Sequence, residues 1–270
     1  MLCRAKVNLT LHVGATIVGG RWDGYHPVES LVAFADFGDT LEFEPGDAHT
    51  LDIAGPFART LGPGTSDNLV FRVLDRLGVP PQHVTLTKTI PVSAGLGGGS
   101  ANAAAVLRRF DPDGRVDGAA FGADVPVCRL SQTAMMEGVG ERLTPIPGLG
   151  SVPAVLVNPG VAVSTAAVFE TFDSLPRAAE PARTDREGTL VARAYSGEND
   201  LYLPAISHAP VIAEVIDAIN AQEGCDLARM SGSGATCFGL FQTTEAAQRA
   251  ERMLQRDGWW VRACRIGDPD

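Results

Sequence analysis

Residues 91–101 read PVSAGLGGGSA, with glycine at positions 95, 97, 98 and 99. Glycine adopts backbone angles closed to other residues and lets a ligand approach the main chain closely. The stretch that follows, NAAAVLRR at 102–109, is rich in helix formers and ends in two arginines. A helix there turns its unpaired N–H groups and positive dipole end back on the loop. Phosphate fits such a place. Ser100 adds a hydroxyl that can cap the helix or donate to a phosphate. Two familiar phosphate loops are excluded. A Walker A loop ends in Gly-Lys-Ser/Thr, whereas Gly99 is followed by Ser100 and Ala101. A dinucleotide fingerprint needs a third glycine where Ser100 stands. A glycine-rich turn without a ligand is the competing reading of the loop taken alone.

Four other stretches carry reactive or polar groups. In AKVNLTLH, residues 5–12, apolar and polar positions alternate. Period two puts Lys6, Asn8, Thr10 and His12 on one face, either solvated or forming the polar wall of a cleft. Asp124 sits in GADVP, where Val125 precedes Pro126 and is expected to be extended. Its carboxylate either caps a turn or is fixed beside a substrate hydroxyl. DGYHP at 23–27 is a turn that carries Tyr25 and His26. SGSGA at 231–235 is a second glycine-rich turn, a plain hairpin on the simplest reading. His49, His83 and His208 are scattered and receive no role.

These groups need elements to hold them. Alternation predicts strands at 5–13 and 84–90, the latter stopped by Pro91. Further strands are expected at 31–34, 40–43 and 133–137. Helical spacing predicts a helix at 68–77, with Asp67 as cap and Gly78 as stop. PIPGLG at 145–150 is the candidate linker between domains 1–148 and 149–270. Beyond it, strands are expected at 152–157, 228–230, 236–241 and 259–266, with helices at 165–172, 211–222 and 244–255. No structure is assigned to 176–198. Without strict strand–helix alternation, the order suggests α+β halves rather than one doubly wound sheet.

Bulk properties narrow the partners. The chain has 270 residues, 45% hydrophobic and 20% charged, which fits a folded protein with a sizeable core. Its formal net charge is -10, a field that repels nucleic acid and anionic membrane, so neither is an expected partner. An anionic nucleotide must then be held by local donors. The five cysteines show no C-x-x-C or His-Cys cluster, which suggests reduced thiols in a cytoplasmic protein. No stretch approaches the ~20 apolar residues of a membrane span.

Taken together and in this order, AKVNL, DGYH, DNLV at 67–70, PVSAGLGGGSANAA, GADVPV, EGVGE at 137–141 and SGSGATCF at 231–238 resemble one family. It is the superfamily named for galactokinase, homoserine kinase, mevalonate kinase and phosphomevalonate kinase. AKVNL, DGYH and GADVP point within it to the branch that acts on a cytidine-diphosphate-linked methylerythritol. The resemblance implies an α+β two-domain small-molecule kinase, with an N-terminal domain like one in ribosomal protein S5 and a ferredoxin-like C-terminal domain. It implies transfer of the γ-phosphoryl of ATP, with Mg2+, to the 2-hydroxyl of that acceptor, in the non-mevalonate route to isoprenoid precursors. It names no magnesium ligand.

By the same resemblance, Asp124 is the base and Lys6 the partner that favours its charged form. Pro91, Val92, Ser93, Ala94, Gly95, Leu96, Gly97, Gly98, Gly99, Ser100 and Ala101 form the ATP loop. Asn68 and Lys88 lie near adenine. Tyr25 and His26 contact the cytidine, Phe169 closes on the base from the other side, and Asn8 and Thr165 make polar contacts to the substrate. Three departures stand out. Only DPDGRVDGAA separates Phe110 from Phe121, where the family usually has a longer helical connection. Ser93 and Ala94 replace common loop glycines. Glu170 stands where some relatives have a basic residue. Homoserine- or mevalonate-type kinases and a non-catalytic nucleotide-binding relative are the alternatives. The DGYH turn opposes the first, and the presence of both Lys6 and Asp124 opposes the second.

Overall fold

The computed structural model describes residues 1–61, 68–176 and 178–268. Its hub is a single long strand. β1 (Leu2–Asn8) and β2 (His12–Val13) lead into β3 (Val28–Pro45), which runs for 18 residues. The two strands expected at 31–34 and 40–43 are parts of it. The backbone between them stays extended because neighbours pair along its whole length. Gly38 lies so close to β1 that a Cβ would meet the Cys3 carbonyl oxygen at 1.9 Å.

β4 (Thr50–Ala54), which the sequence did not suggest, runs parallel to β5 (Gln82–Thr87), and β5 pairs antiparallel with β3. β6 (Ala134–Gly138) pairs with the start of β3 and with β7 (Arg142–Pro145). The segment 146–150 then leads to β8 (Ser151–Asn158). β9 (Cys225–Met230), β10 (Cys237–Phe241) and β11 (Trp260–Gly267) complete the sheet in the order β3-β11-β8-β10-β9. β11 meets β3 through Ile266 and Ala35.

Helices α1 (Leu69–Leu77), α2 (Gly98–Phe110) and α3 (Val125–Leu130) pack on the first half of the sheet. α4 (Thr165–Asp173), α6 (Tyr202–His208), α7 (Val211–Asn220) and α8 (Thr244–Met253) pack around β8 and β10. A third apolar cluster joins Ala5, Val7 and Leu9 of the opening segment to Leu156 and Phe238. The α+β organisation matches the expectation. Asp67, the expected cap of α1, lies outside the described residues. Asn68 caps the helix instead, its Oδ1 accepting the Val70 N–H at 2.9 Å. Among the described residues, no helix is long and apolar enough to cross a membrane. All five cysteines are free thiols.

The alternating face of the opening segment is not solvated. Lys6, Asn8, Thr10 and His12 are all buried. β1 ends at Asn8, Leu11 bridges Asn199, and pairing with β3 resumes at His12 in β2. Residues 178–200, which include most of the 176–198 stretch to which the sequence assigns no structure, cover the Thr10–His12 end of this face, while Lys6 and Asn8 line a cleft. They contain the short α5 (Leu190–Tyr195), capped by Thr189. Thr184 bonds both Thr10 and Glu29, and Asp200 lies 3.3 Å from His12 Nδ1. That contact with Asp200 raises the His12 pKa against the opposing effect of burial.

The abbreviated connection after α2 is organised by one carboxylate. Asp111 is fully buried and accepts the N–H groups of Arg115 and Val116 at 3.0 Å, with the side chains of Arg115 and Arg129 alongside. A 3-10 turn, Gly118–Phe121, then leads to Gly122 and Asp124. The backbone N–H of Val116 leads the causes that hold the Asp111 carboxyl down to about 2, from an ordinary 3.8. A depressed folded-state pKa contributes stability above the unfolded value, and that contribution is lost as pH falls through the folded one. Asp111→Asn is therefore expected to lower the urea midpoint at pH 7. The gap to the parent should narrow between pH 4 and pH 2. A gap independent of pH would remove the carboxylate as its cause.

Candidate active site

The glycine loop leaves β5 and runs directly into α2. The helix starts at Gly98, four residues earlier than its composition suggested. Its first bond runs from the Ala101 N–H to Gly97 O at 2.8 Å. The N–H groups of Gly98, Gly99 and Ser100 precede that bond, in the turn where a helix has donors without partners. Gly97 caps the helix in the left-handed region, at φ 63. Ser93 also sits there, at φ 53, a conformation that favours glycine.

The second glycine-rich turn is locked to the first. Ser231 Oγ donates to Gly95 O at 3.0 Å and accepts the Asn8 N–H at 3.1 Å. Thr236 N–H reaches Ala94 O at 3.3 Å. Gly95 has φ 72, and a Cβ there would meet the carbonyl oxygens of Ser231 and Gly234 at 2.5 and 2.8 Å. SGSGA is thus more than a hairpin, since it buttresses the loop from the other half of the chain.

β1 and α3 bring an amine and a carboxylate together beside this cradle. Lys6 Nζ lies 2.9 Å from Asp124 Oδ2, across 118 sequence positions. The amine is 5% exposed and the carboxylate 33%, so the ammonium lies beneath an acid that opens on the cleft. The Lys6 N–H donates to Leu96 O at 2.9 Å, which ties β1 to the loop. A Cβ on Gly97 would lie 3.3 Å from Lys6 Cβ, so the loop backbone packs on the lysine stem. Asp124 itself has φ -83 and ψ -11. Val125, expected to be extended, is instead the first residue of α3. Pro126 is tolerated there because the first turn of a helix has no use for its missing N–H. Burial pushes the neighbouring Cys128 thiol far up, the expected state of an inert core cysteine.

Lys88 makes a second pair, with its Nζ 2.7 Å from the fully buried Asp39. Asp39 Oδ1 accepts the N–H groups of Thr89 and Ile90. Burial pushes the Lys88 amine below its ordinary pKa, and Asp39 pulls part of that back. A Cβ on Gly98 would lie 3.0 Å from Lys88 Nζ, so this amine stands at the start of α2. Both lysines of the cleft are thus matched by carboxylates. Attraction for a phosphate then rests chiefly on the backbone donors and dipole of α2.

At the other end of the cleft the groups are aromatic. The His26 and Phe169 rings meet at 4.9 Å between centroids. Tyr25 is half exposed at the mouth, edge-on to Trp22. Thr165 Oγ1 lies 2.8 Å from Ser233 Oγ, which joins α4 to the second turn. Asn8 Nδ2 donates to Ser30, while its buried Oδ1 has no partner among the described residues.

A single cavity of about 1110 Å3 gathers these groups. Lys6, Asn8, Tyr25, His26, Asn68, Lys88, Asp124, Thr165 and Phe169 line it, as do Pro91, Val92, Ser93, Ala94, Gly95 and Gly97–Ser100. Leu96 and Ala101 do not. Both side chains are buried in the core, and the Ala101 N–H is already engaged within α2. The sequence reading missed Asn102, which lines the cleft and whose buried Oδ1 also lacks a partner among the described residues. A polar residue among the alanines of α2 was the available signal. Glu170 lines the cleft as well, so the acid noted in the sequence does stand at its wall.

Comparison with known proteins agrees with this arrangement. Residues 68–111 match the GHMP kinases N terminal domain, and residues 189–258 match the GHMP kinases C terminal family. The chain is 44% identical to a 4-diphosphocytidyl-2-C-methyl-D-erythritol kinase from Roseobacter denitrificans, covering 97% of this chain and 92% of that protein. It is 46% identical to the Methylorubrum extorquens protein of the same name, over 97% of both. A crystal structure of 4-(cytidine 5'-diphospho)-2C-methyl-D-erythritol kinase superposes with a TM-score of 0.79 at 34% identity, covering 99% of each chain. With two-carboxylate-matched lysines, a helix-start cradle and near full-length similarity in one molecule, the chain belongs to the 4-diphosphocytidyl-2-C-methyl-D-erythritol kinase family of the GHMP kinases.

Proposed function

We infer that the chain transfers the γ-phosphoryl of ATP to the 2-hydroxyl of 4-diphosphocytidyl-2-C-methyl-D-erythritol, a step of the non-mevalonate route to isoprenoid precursors. The observation that carries this reading is the Lys6–Asp124 pair at 2.9 Å beside the start of α2, in one cleft with Tyr25, His26 and Phe169. Phosphoryl transfer needs alignment and charge stabilisation more than covalent chemistry. In this reading Asp124 accepts the proton of the acceptor hydroxyl, and Lys6 stabilises charge as the alkoxide develops. The N–H groups of Gly98, Gly99 and Ser100 hold the phosphates. Magnesium enters with ATP, as part of that substrate. Asn68, with Oδ1 engaged in its cap, offers Nδ2 to the nucleoside. Tyr25, His26 and Phe169 receive the cytosine ring, and Asn8 and Thr165 the polar parts of the acceptor. Residues 1–148 supply the cradle and base, and residues 149–270 supply α4 and the second turn.

The test is a coupled ADP-release assay with the cytidyl substrate, homoserine and mevalonate offered separately. ADP should form with the cytidyl substrate alone, and CMP should compete with that substrate but not with ATP. Phosphorylation of mevalonate or homoserine without an effect of CMP would move the chain to another kinase of the superfamily. ATP binding without ADP release from any acceptor would make it a non-catalytic relative.

A further inference from the structure

Thr165, Phe169 and Asp173 recur at intervals of four along α4, so they share one stripe of the helix. All three line the cleft. Thr165 bonds the second glycine turn and Phe169 packs on the His26 ring. Asp173 reaches the segment between β2 and β3 at two points. Its Oδ1 accepts from Thr16 Oγ1 at 2.9 Å, and its Oδ2 lies 3.5 Å from His26 Nε2. His26 Nδ1 stands 3.0 Å from Gly14 O. A carbonyl only accepts, so Nδ1 is the donor in that contact, which sets the ring with its Nε2 edge on the Asp173 side. An acid in the last turn of a helix opposes the helix dipole, so the stability of α4 does not favour one there.

We propose that Asp173 is a positioning residue for the pyrimidine end of the substrate. Through Thr16, whose neighbour Ile17 donates to the Tyr25 carbonyl at 2.7 Å, it ties the segment that carries His26 to α4 and so keeps that ring against Phe169. This rests on the function inferred above. The structural link to the aromatic wall acts on the cytidyl substrate and leaves the ATP cradle untouched.

The test is titration of the full chain with CMP, for the parent, Phe169→Ala, Asp173→Ala, Asp173→Asn and Thr16→Val, alongside steady-state kinetics. Asp173→Ala should weaken CMP binding about tenfold and raise KM for the cytidyl substrate equally, as loss of a charged hydrogen-bond partner does. kcat and the KM for ATP should move by less than about twofold, the pattern of lost uniform binding. Asp173→Asn, which can still accept from Thr16, should recover part of the loss. Thr16→Val, which removes one exposed hydrogen bond to the Asp173 carboxylate, should lose about threefold, and it carries the test if Asp173→Ala does not fold. CMP affinity unchanged in Asp173→Ala, but lost in Phe169→Ala, would overturn the proposal alone. A parent chain that binds no CMP would overturn the inferred function and this proposal with it.

Discussion

Asp124→Asn is expected to lower kcat about 10²–10⁴-fold, the usual contribution of a positioned base, with ATP affinity essentially unchanged. Asparagine keeps the size of the side chain and can still accept a hydrogen bond from the Lys6 ammonium 2.9 Å away. It cannot take a proton at the cleft. This makes it a cleaner probe than alanine, which would leave the buried Lys6 ammonium facing no partner and add a stability loss. Lys6→Ala is the companion variant. It removes the charge beneath the acid without touching the N–H groups of α2, so nucleotide should still bind. Single-turnover phosphoryl transfer and ATP titration measure the two quantities separately. Turnover near the parent's in either variant would remove the base assignment.

Gly95→Ala should damage stability and nucleotide binding together. Two effects add. The left-handed conformation costs an alanine about 1–2 kcal/mol. The new Cβ would also press on the carbonyl oxygens of Ser231 and Gly234, at 2.5 and 2.8 Å, and both are backbone atoms that cannot swing aside. Together these should lower Tm by about 5–10 °C, given the usual few degrees per kcal/mol for a chain of this size. The loop should also shift away from Ser231, raising the KM for ATP. Gly148→Ala supplies the control. It has φ 82 but nothing within 4 Å of a new Cβ, so it reports the conformational cost alone. Equal melting shifts in the two variants, with ATP kinetics unchanged, would show that the interlock of the two turns is not what places the cradle.

Much of the site was legible because its parts are local patterns. The glycine loop, the alternating AKVNL and the acid in GADVP each carry their own spacing. Their convergence came from family resemblance rather than from periodicity, because no local rule brings residue 6 to residue 124. Other features depended on tertiary packing. Thr10 and His12 of the polar face are buried because residues 178–200 fold over them through Thr184 and Asp200, whereas Lys6 and Asn8 form the cleft wall. That cover has no helical or strand period. α5 and α6 have six and seven residues; α5 is capped by Thr189, and both rest on their neighbours rather than on intrinsic propensity. Leu96 and Ala101 show the limit of a contiguous motif. In a tight loop that enters a helix, some members must face the core while their neighbours face the ligand.

β11 occupies an interior lane of the sheet, flanked by β3 on one side and β8 on the other. A ribosome-bound chain therefore lacks a central stave until residue 267 has emerged. Until then β3 and β8 present open hydrogen-bonding edges to whatever is nearby, the hazard that unfinished sheets share. Kinase competence therefore waits on the placing of β11. The interval before closure is the moment when a chaperone would matter most.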